Sequence, residues 1–159
     1  MTALRFLHKE AETYKLNLDQ CVLTGDSADA LLSFFTLSIN SSEKLQQKFG
    51  IAGAGFSFKA AGLISIMLDT QRRDFMGIIN NVITDKNDKG KAYEKYLLDP
   101  AKLLENVVLP PVYLITSQKD LIRKDTLKLK KLLEDQGVKH ALMDFPKGQE
   151  RKLIHLFSV

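Results

Sequence analysis

A serine between a strand-like and a helix-like segment is the first candidate for chemistry. Ser27 lies in the stretch 23–30, which reads LTGDSADA, and the small residues Gly25 and Ala28 flank it. Small residues permit a tight strand–turn–helix that exposes a serine hydroxyl above the end of a sheet. The following helix would direct backbone N–H groups and its positive end towards an oxyanion. The pattern predicts a serine nucleophile, with Asp26 satisfying the backbone of the turn.

A serine nucleophile needs a base and an acid that orients the base. Asp120 comes just after the third predicted strand, and His155 comes after the last one. With Ser27, they all follow the carboxyl ends of predicted parallel strands, where open α/β sheets place their sites. Taken singly, Asp120 is equally compatible with a helix cap and His155 with a surface histidine. His8, in the first predicted helix, and His140, at a strand start, are interpreted as surface or packing residues.

The elements that must position these residues alternate along the chain. Strand-like apolar runs cover 21–24, 60–68, 112–116 and 138–145, and helix-like segments cover 2–16, 28–39, 43–49 and 121–136. The order predicts an α/β fold, a three-layer α/β/α sandwich with a mostly parallel sheet and right-handed crossovers. The polar stretch 69–99 is expected to form one or two helices outside the sheet.

Composition narrows the class of protein. The chain has 159 residues, of which 45% are hydrophobic and 26% charged, so we expect a single folded domain over 1–159. The net charge is +4, but the densest basic stretch, 124–131, is interleaved with leucines as in a helix face. This pattern argues against a nucleic-acid interface. The longest nearly apolar run, 60–68, is far shorter than the ~20 residues of a membrane span.

No cofactor or metal is expected from the sequence. The glycines of the 50–55 loop lack the spacing of a dinucleotide fingerprint, and there is no Cys/His cluster with metal-ligand spacing. The single cysteine, Cys21, cannot form an internal disulfide, and residues 1–10 are too charged for a signal peptide. These features predict a cytoplasmic protein.

Three short motifs resemble the hormone-sensitive-lipase-like branch of the α/β-hydrolases, the acetyl-esterase and lipase group. Residues 25–28, Gly-Asp-Ser-Ala, resemble its nucleophile elbow, 120–123, Asp-Leu-Ile-Arg, its Asp-Pro-Leu-Arg element, and 155–157, His-Leu-Phe, its His-Gly-Phe element. Their order is that of the α/β-hydrolase triad. The resemblance covers nearly the whole chain but only the C-terminal half of the family fold. It implies an incomplete α/β-hydrolase fold of about four strands.

The resemblance implies a carboxyl-ester hydrolase that acts on a small ester with a Ser-His-Asp triad. Ser27 would attack the ester carbonyl, and His155 would take its proton and return it to the leaving alcohol. Asp120 would hold the imidazole and stabilise its charged form, and the Ala28 N–H would donate one hydrogen bond to the oxyanion. The stretch 69–99 would correspond to the cap-forming insertion of the family.

The chain also departs from the family pattern. Asp29 replaces the glycine that the family has two residues after the nucleophile, so the resemblance implies strain or a shifted elbow. Gly25 and Asp26, ahead of the nucleophile, match the family's elbow. Leu121 and Leu156 are milder replacements. The family's His-Gly-Gly element, which supplies most of the oxyanion hole, has no counterpart downstream of Met1. We therefore expect weak activity of the isolated chain. The alternative is a non-catalytic, truncated homologue or subunit that binds a partner chain.

The resemblance also implies an exposed edge. The strand near 21–24 is central in the family, but here it would lack a neighbour on one side. Exposed apolar edges pair with other chains. We therefore expect a homo-oligomer formed through the sheet edge near Cys21 and Thr24.

Overall fold

A four-stranded parallel sheet is the centre of the molecule. The computed structural model describes residues 1–71, 86–105 and 107–147. The strands are β1 (Val22–Asp26), β2 (Ala60–Ile64), β3 (Val112–Ser117) and β4 (His140–Phe145), arranged in the order β1-β2-β3-β4. Every neighbouring pair is parallel. The α/β fold with a parallel sheet, predicted from the alternation of apolar runs, is confirmed.

Helices connect and cover the strands. The α-helices are α1 (Thr2–Lys9), α2 (Ala28–Asn40), α3 (Glu43–Phe49), α4 (Glu94–Leu98) and α5 (Arg123–Asp135). Short 3₁₀ helices cover Leu18–Gln20, Lys86–Asp88 and Pro100–Leu104. α2 links β1 to α3, and α5 is the crossover between β3 and β4, as parallel pairing requires.

Two element boundaries differ from the sequence-based expectation for local reasons. The first helix ends at Lys9 instead of continuing to residue 16, and the turns that follow include Lys15 with a φ of +53°. β2 ends at Ile64 because Ser65 has a φ of +46°, which no strand continues through. The apolar residues 66–68 are buried by packing and not by sheet pairing.

One face of the sheet carries the hydrophobic core. Alternate residues of β2 and β3 are buried there and pack in one cluster with α2 and α5; they are Ala61, Leu63, Val112 and Leu114, against Leu31, Phe34, Leu129 and Leu133. α2 contacts β1 and β2, and α5 contacts β3 and β4. The period-2 alternation of the strands and the helical spacing of the leucines therefore meet in a single core.

The opposite face of the sheet is open within the described part of the chain. Val22, Tyr113 and Met143 are 59%, 41% and 43% exposed, and none of them belongs to the core cluster. The second helical layer of the expected sandwich is not among residues 1–71, 86–105 and 107–147. Because parallel sheets are normally covered on both faces, this open face, defined by Val22, Tyr113 and Met143, is available for packing.

Candidate functional site

Ser27 alone forms the turn between β1 and α2. Its φ and ψ are +57° and −114°, and the residue is buried, with only 7% of its surface exposed. The Ser27 N–H donates to the carbonyl oxygen of Ile64 at 2.9 Å, and its carbonyl oxygen accepts from the N–H groups of Leu31 and Met67 at 3.3 and 3.4 Å. A non-glycine residue in this conformation costs ~1–3 kcal/mol and persists only where surrounding contacts fix it. Such strain is typical of functional turns.

Gly25 makes the sharp turn sterically feasible. A Cβ at Gly25 would lie 2.4 Å from the backbone oxygen of Asp29 and 2.7 Å from the backbone nitrogen of Ala30. The strand and the first turn of α2 therefore touch backbone to backbone. The Asp29 side chain is exposed, and it lies in the first turn of α2, where a negative charge interacts favourably with the helix dipole. Asp26 is the last residue of β1 and lies beside Ile64 of β2.

Asp120 is held in the loop between β3 and α5. It is 7% exposed, and one carboxylate oxygen, Oδ2, accepts from the hydroxyl of Thr116 at 2.9 Å. Its Oδ1 accepts from the N–H of Ile122 at 3.0 Å, just before α5 begins. The carboxylate therefore makes one contact within its own loop, two residues ahead, and a second, buried contact with the strand; Asp120 is not the N-cap of α5, which is Ile122. Thr116 was not identified from the sequence, because it reads as an ordinary β-strand residue.

An ion pair joins the loop between β3 and α5, called the acid loop because it holds the acid candidate Asp120, to the end of β4. The Arg123 Nε lies 3.1 and 3.2 Å from the two carboxylate oxygens of Asp144, and its Nη2 lies 2.6 Å from Oδ2. The hydrogen bond to Asp144 raises the pKa of Arg123 above its usual value. Forked arginine–carboxylate pairs restrict geometry more than a single contact does. The pair therefore holds the first residue of α5 against the sheet.

A small apolar cluster joins the Ser27 turn to the Asp120 loop. Met67 and Ile122 are fully buried against each other, and Ala28 packs on them. Ala28 follows the nucleophile candidate and Ile122 is two residues from the acid candidate. Strands lie ~4.8 Å apart, so the ends of β1 and β3, with β2 between them, are separated by about 10 Å. The structure therefore brings Ser27 and Asp120 to the same edge of the sheet.

The base candidate, His155, lies outside the described residues. The chain that leads to it leaves the sheet beside the acid loop: the Gln118 N–H donates to the carbonyl oxygen of Phe145 at 2.9 Å, and the Gln118 side chain accepts from the N–H of Lys147 at 3.2 Å. The other two histidines lie elsewhere. His140 begins β4 at the opposite edge of the sheet, and His8 packs beside the Phe56 ring, ahead of β2.

The ends of the stretch 69–99 are anchored on the core. The Asp69 N–H donates to Asp125 at 2.8 Å, and the Thr70 hydroxyl donates to the carbonyl oxygen of Leu97 at 2.7 Å. Tyr96 of α4 is 3% exposed. The middle of the stretch, 72–85, is outside the described residues.

Where the structure describes the chain, no group of three or more histidine, cysteine or acidic side chains is arranged to hold a metal ion, and no helix is long and apolar enough to cross a membrane.

Comparison with known proteins identifies relatives of the fold. No protein-family model matches the sequence, and no curated protein matches it either. Among solved structures, esterase B from Lactobacillus Rhamnosis (HN001) is similar with 25% identity and a TM-score of 0.86, over 98% of this chain. A carboxylesterase from Lactobacillus plantarum WCFS1 (16%, TM-score 0.74) and a hyperthermophilic esterase from Pyrobaculum calidifontis (18%, TM-score 0.63) share the fold over 97% and 98% of this chain.

The similarity covers nearly all of this chain but only part of each esterase. The chain spans about half the length of these esterases, covering 51%, 52% and 50% of them. Its sheet is parallel, its serine turn joins a strand to a helix, and its acid loop follows a strand of the same sheet. The fold of this chain is therefore that of esterases with the α/β-hydrolase architecture.

Proposed function

We propose that the chain carries the catalytic residues of a carboxyl-ester hydrolase. The observation that carries the proposal is the backbone of Ser27, which lies in a strained, buried turn between β1 and α2. Hydrogen bonds of both its N–H and its carbonyl oxygen hold the turn in place. The likeness to esterases supports the same reaction class. In this proposal, Ser27 is the nucleophile, His155 the base and Asp120 the acid that orients it.

The reaction would proceed in two stages. Ser27 Oγ attacks the ester carbonyl while His155 takes the hydroxyl proton, and the collapse of the tetrahedral intermediate expels the alcohol, which His155 protonates. Water, activated by the same imidazole, then releases the acid from the acyl-enzyme. Asp120 holds the imidazole tautomer and stabilises the imidazolium. The first N–H of α2, that of Ala28, would donate to the oxyanion, with Gly25, Asp26 and Asp29 shaping the turn.

We further propose that the chain corresponds to the C-terminal half of the hormone-sensitive-lipase-like fold. In this assignment residues 1–159 form one domain, and 69–99 form a cap-like insertion beside the site. The packing of α4 and the hydrogen bonds of Asp69 and Thr70 support an insertion that is attached to the core at both ends. We also propose a cytoplasmic location, which the single cysteine, Cys21, supports.

Short-chain esters are the proposed substrate class. One structure of esterase B, 26% identical to this chain with a TM-score of 0.85, is named for a tributyrin phosphonate inhibitor. Tributyrin carries butyryl esters, so a butyryl ester is a rational first substrate for this chain. A phosphonate is also a rational probe, because it reacts with an activated serine and mimics the tetrahedral intermediate.

The alternative function is a subunit that acts through a partner chain. The open face and the outer edge of β1 favour it, because both expose apolar or unpaired strand groups within the described part of the chain. We propose a second copy of this chain as the partner, paired through the edge of β1 near Cys21 and Thr24.

At micromolar concentration, light scattering should then give twice the 17.9 kDa of one chain. A monomer at that concentration would contradict the proposal. Val22→Lys should weaken the dimer, and Leu98→Lys, on α4, serves as the control.

A fluorophosphonate probe separates the two functions. If the chain is a hydrolase, the probe should label Ser27 covalently, and the intact mass should rise by one adduct. Ser27→Ala should abolish labelling and His155→Ala should weaken it strongly, whereas Ser41→Ala, at an exposed serine, should label like the unmodified chain. Absence of labelling at high probe concentration would reject the hydrolase and favour the subunit.

A further inference from the structure

A second serine also has a positive φ and lies next to the nucleophile candidate. Ser27 and Ser65 both have a positive φ, +57° and +46°, and both are buried. Each is the first residue after its strand, and the two strands are neighbours, with Asp26 beside Ile64. Only one other non-glycine residue of the described chain, Lys15, has a positive φ, and it precedes β1 instead of following a strand.

Ser65 also lies between the two halves of the candidate site. By continuation of the register, its neighbours are Ser27 on β1's side and Thr116 of β3, which binds Asp120. Ser65 and Thr116 are both 0% exposed, and both continue the covered face of their strands. Ser65 therefore occupies the gap between the nucleophile turn and the residue that anchors the acid.

The backbone around Ser65 holds the Ser27 turn on both sides. Immediately before Ser65, the carbonyl oxygen of Ile64 accepts from the Ser27 N–H, and two residues after it, the Met67 N–H donates to the Ser27 carbonyl oxygen. The Ser65 N–H itself donates to Ile115 of β3 at 2.8 Å. The φ of Ser65 thus determines where Met67 lies, and Met67 contacts both the Ser27 turn and the Asp120 loop through Ala28 and Ile122.

The serine side chain at this position is unfavourable for stability. Its φ would suit glycine, and its buried hydroxyl has no hydrogen-bond partner among the residues that the structure describes. Stability alone would therefore favour glycine. A residue with a Cβ that keeps a positive φ at such a place points to a geometric requirement of the site.

We propose that Ser65 is a positioning residue for the nucleophile. Its side chain fills the gap between Ser27 and Thr116 and limits residues 64–67 to one conformation, so that the Ser27 turn keeps its place relative to Asp120. The inference rests on the proposed hydrolase function. In this proposal the Cβ of Ser65 and its restricted backbone determine the position of the Ser27 turn, whereas its hydroxyl has no role.

The test compares Ser65→Gly with Ser65→Ala in fluorophosphonate labelling and in urea unfolding. We expect Ser65→Gly to lower the maximal labelling rate constant about tenfold, with the probe concentration for half-saturation unchanged, because misplacement of a reacting group by a fraction of an ångström has effects of this order. Its unfolding midpoint should not fall. Ser65→Ala keeps the Cβ, so its labelling rate should stay within about twofold of the unmodified chain.

A matched control separates positioning from general damage. Ser38 is also 0% exposed, but its hydroxyl donates to the Phe34 carbonyl oxygen within α2 at 2.8 Å. Ser38→Ala should leave labelling unchanged, because the buried hydroxyl that it removes donates to a carbonyl that α2 already binds and that lies away from residues 64–67. If Ser65→Gly labels at the unmodified rate, or loses labelling only in proportion to stability, Ser65 is not a positioning residue. If the unmodified chain does not label at all, the hydrolase proposal fails and this inference fails with it.

Discussion

Replacement of Gly25 by alanine is the sharpest test of the serine turn. An alanine Cβ would lie 2.4 Å from the Asp29 backbone oxygen and 2.5 Å from its carbonyl carbon, whereas ordinary contact begins at 3.4 Å. The first turn of α2 would have to move by about 1 Å, and no flexible side chain can absorb that movement because the obstructing atoms are backbone. Overpacking of this kind costs ~1–3 kcal/mol, and we place Gly25→Ala at the upper end, about 3 kcal/mol.

The size of the effect follows from how α2 is packed. Ala30, Leu31 and Phe34 are fully buried in the core, so the helix cannot shift without disturbing its contacts with the sheet. For a chain of this size ~1 kcal/mol corresponds to ~2–4 °C, so the thermal midpoint should fall by about 6–12 °C. The same shift would move Ser27, and fluorophosphonate labelling should fall at least as steeply.

The assay is urea unfolding followed by far-UV circular dichroism, with Gly62→Ala as the control. A Cβ at Gly62 would lie 3.2 Å from the hydroxyl of Thr24, the end of an exposed side chain that can rotate away. Gly62→Ala should therefore cost less than about 1 kcal/mol. If the two variants lose the same free energy of unfolding, the backbone contact at Gly25 does not constrain the turn, and the steric argument for the elbow is wrong.

Further predictions concern the acid loop and the base. Thr116→Val should lower the free energy of unfolding by ~1–3 kcal/mol in urea titration, because Asp120 loses a buried donor; equal stability would show that this hydrogen bond contributes nothing net. Arg123→Lys should cost ~1 kcal/mol, less at high salt, because lysine cannot bind Asp144 with a fork. The labelling rate should rise with pH as an imidazole loses its proton, because a general base must be neutral, and this rise should disappear in His155→Ala; a flat profile in the unmodified chain would argue against His155.

The fold was predictable because each apolar run indicated either a strand or a helix, and because the runs of the two kinds alternate along the sequence. The runs that begin at Ala60 and Val112 became β2 and β3, and α3 covers 43–49, the range predicted for it. The errors are at boundaries that depend on single residues. Apolarity alone extends the second strand to residue 68, but the backbone of Ser65 ends it at Ile64, and no composition rule predicts a positive φ at a serine.

The candidate site was predictable only where its residues form local motifs. Ser27 and Asp120 stand next to strand ends that the sequence places well. Thr116 and Met67 could not be identified, because a buried threonine in a strand and a buried methionine after one look like core residues. Their contacts with the site arise from the register of three strands, which the linear sequence does not specify.

The strain at Ser27 and the order of the sheet are linked. Both backbone groups of Ser27 that hold its turn bind the segment 64–67, almost forty residues further along the chain, and not its own helix alone. The turn is therefore stable only when β2 is paired with β1 in register, since a slip of one residue would reverse which side chains face the core. The geometry of Ser27, the candidate nucleophile, therefore depends on the assembled sheet. A variant that loosens the pairing of β1 with β2 should lose labelling before it loses helix content, because α2 keeps its own hydrogen bonds when the turn relaxes.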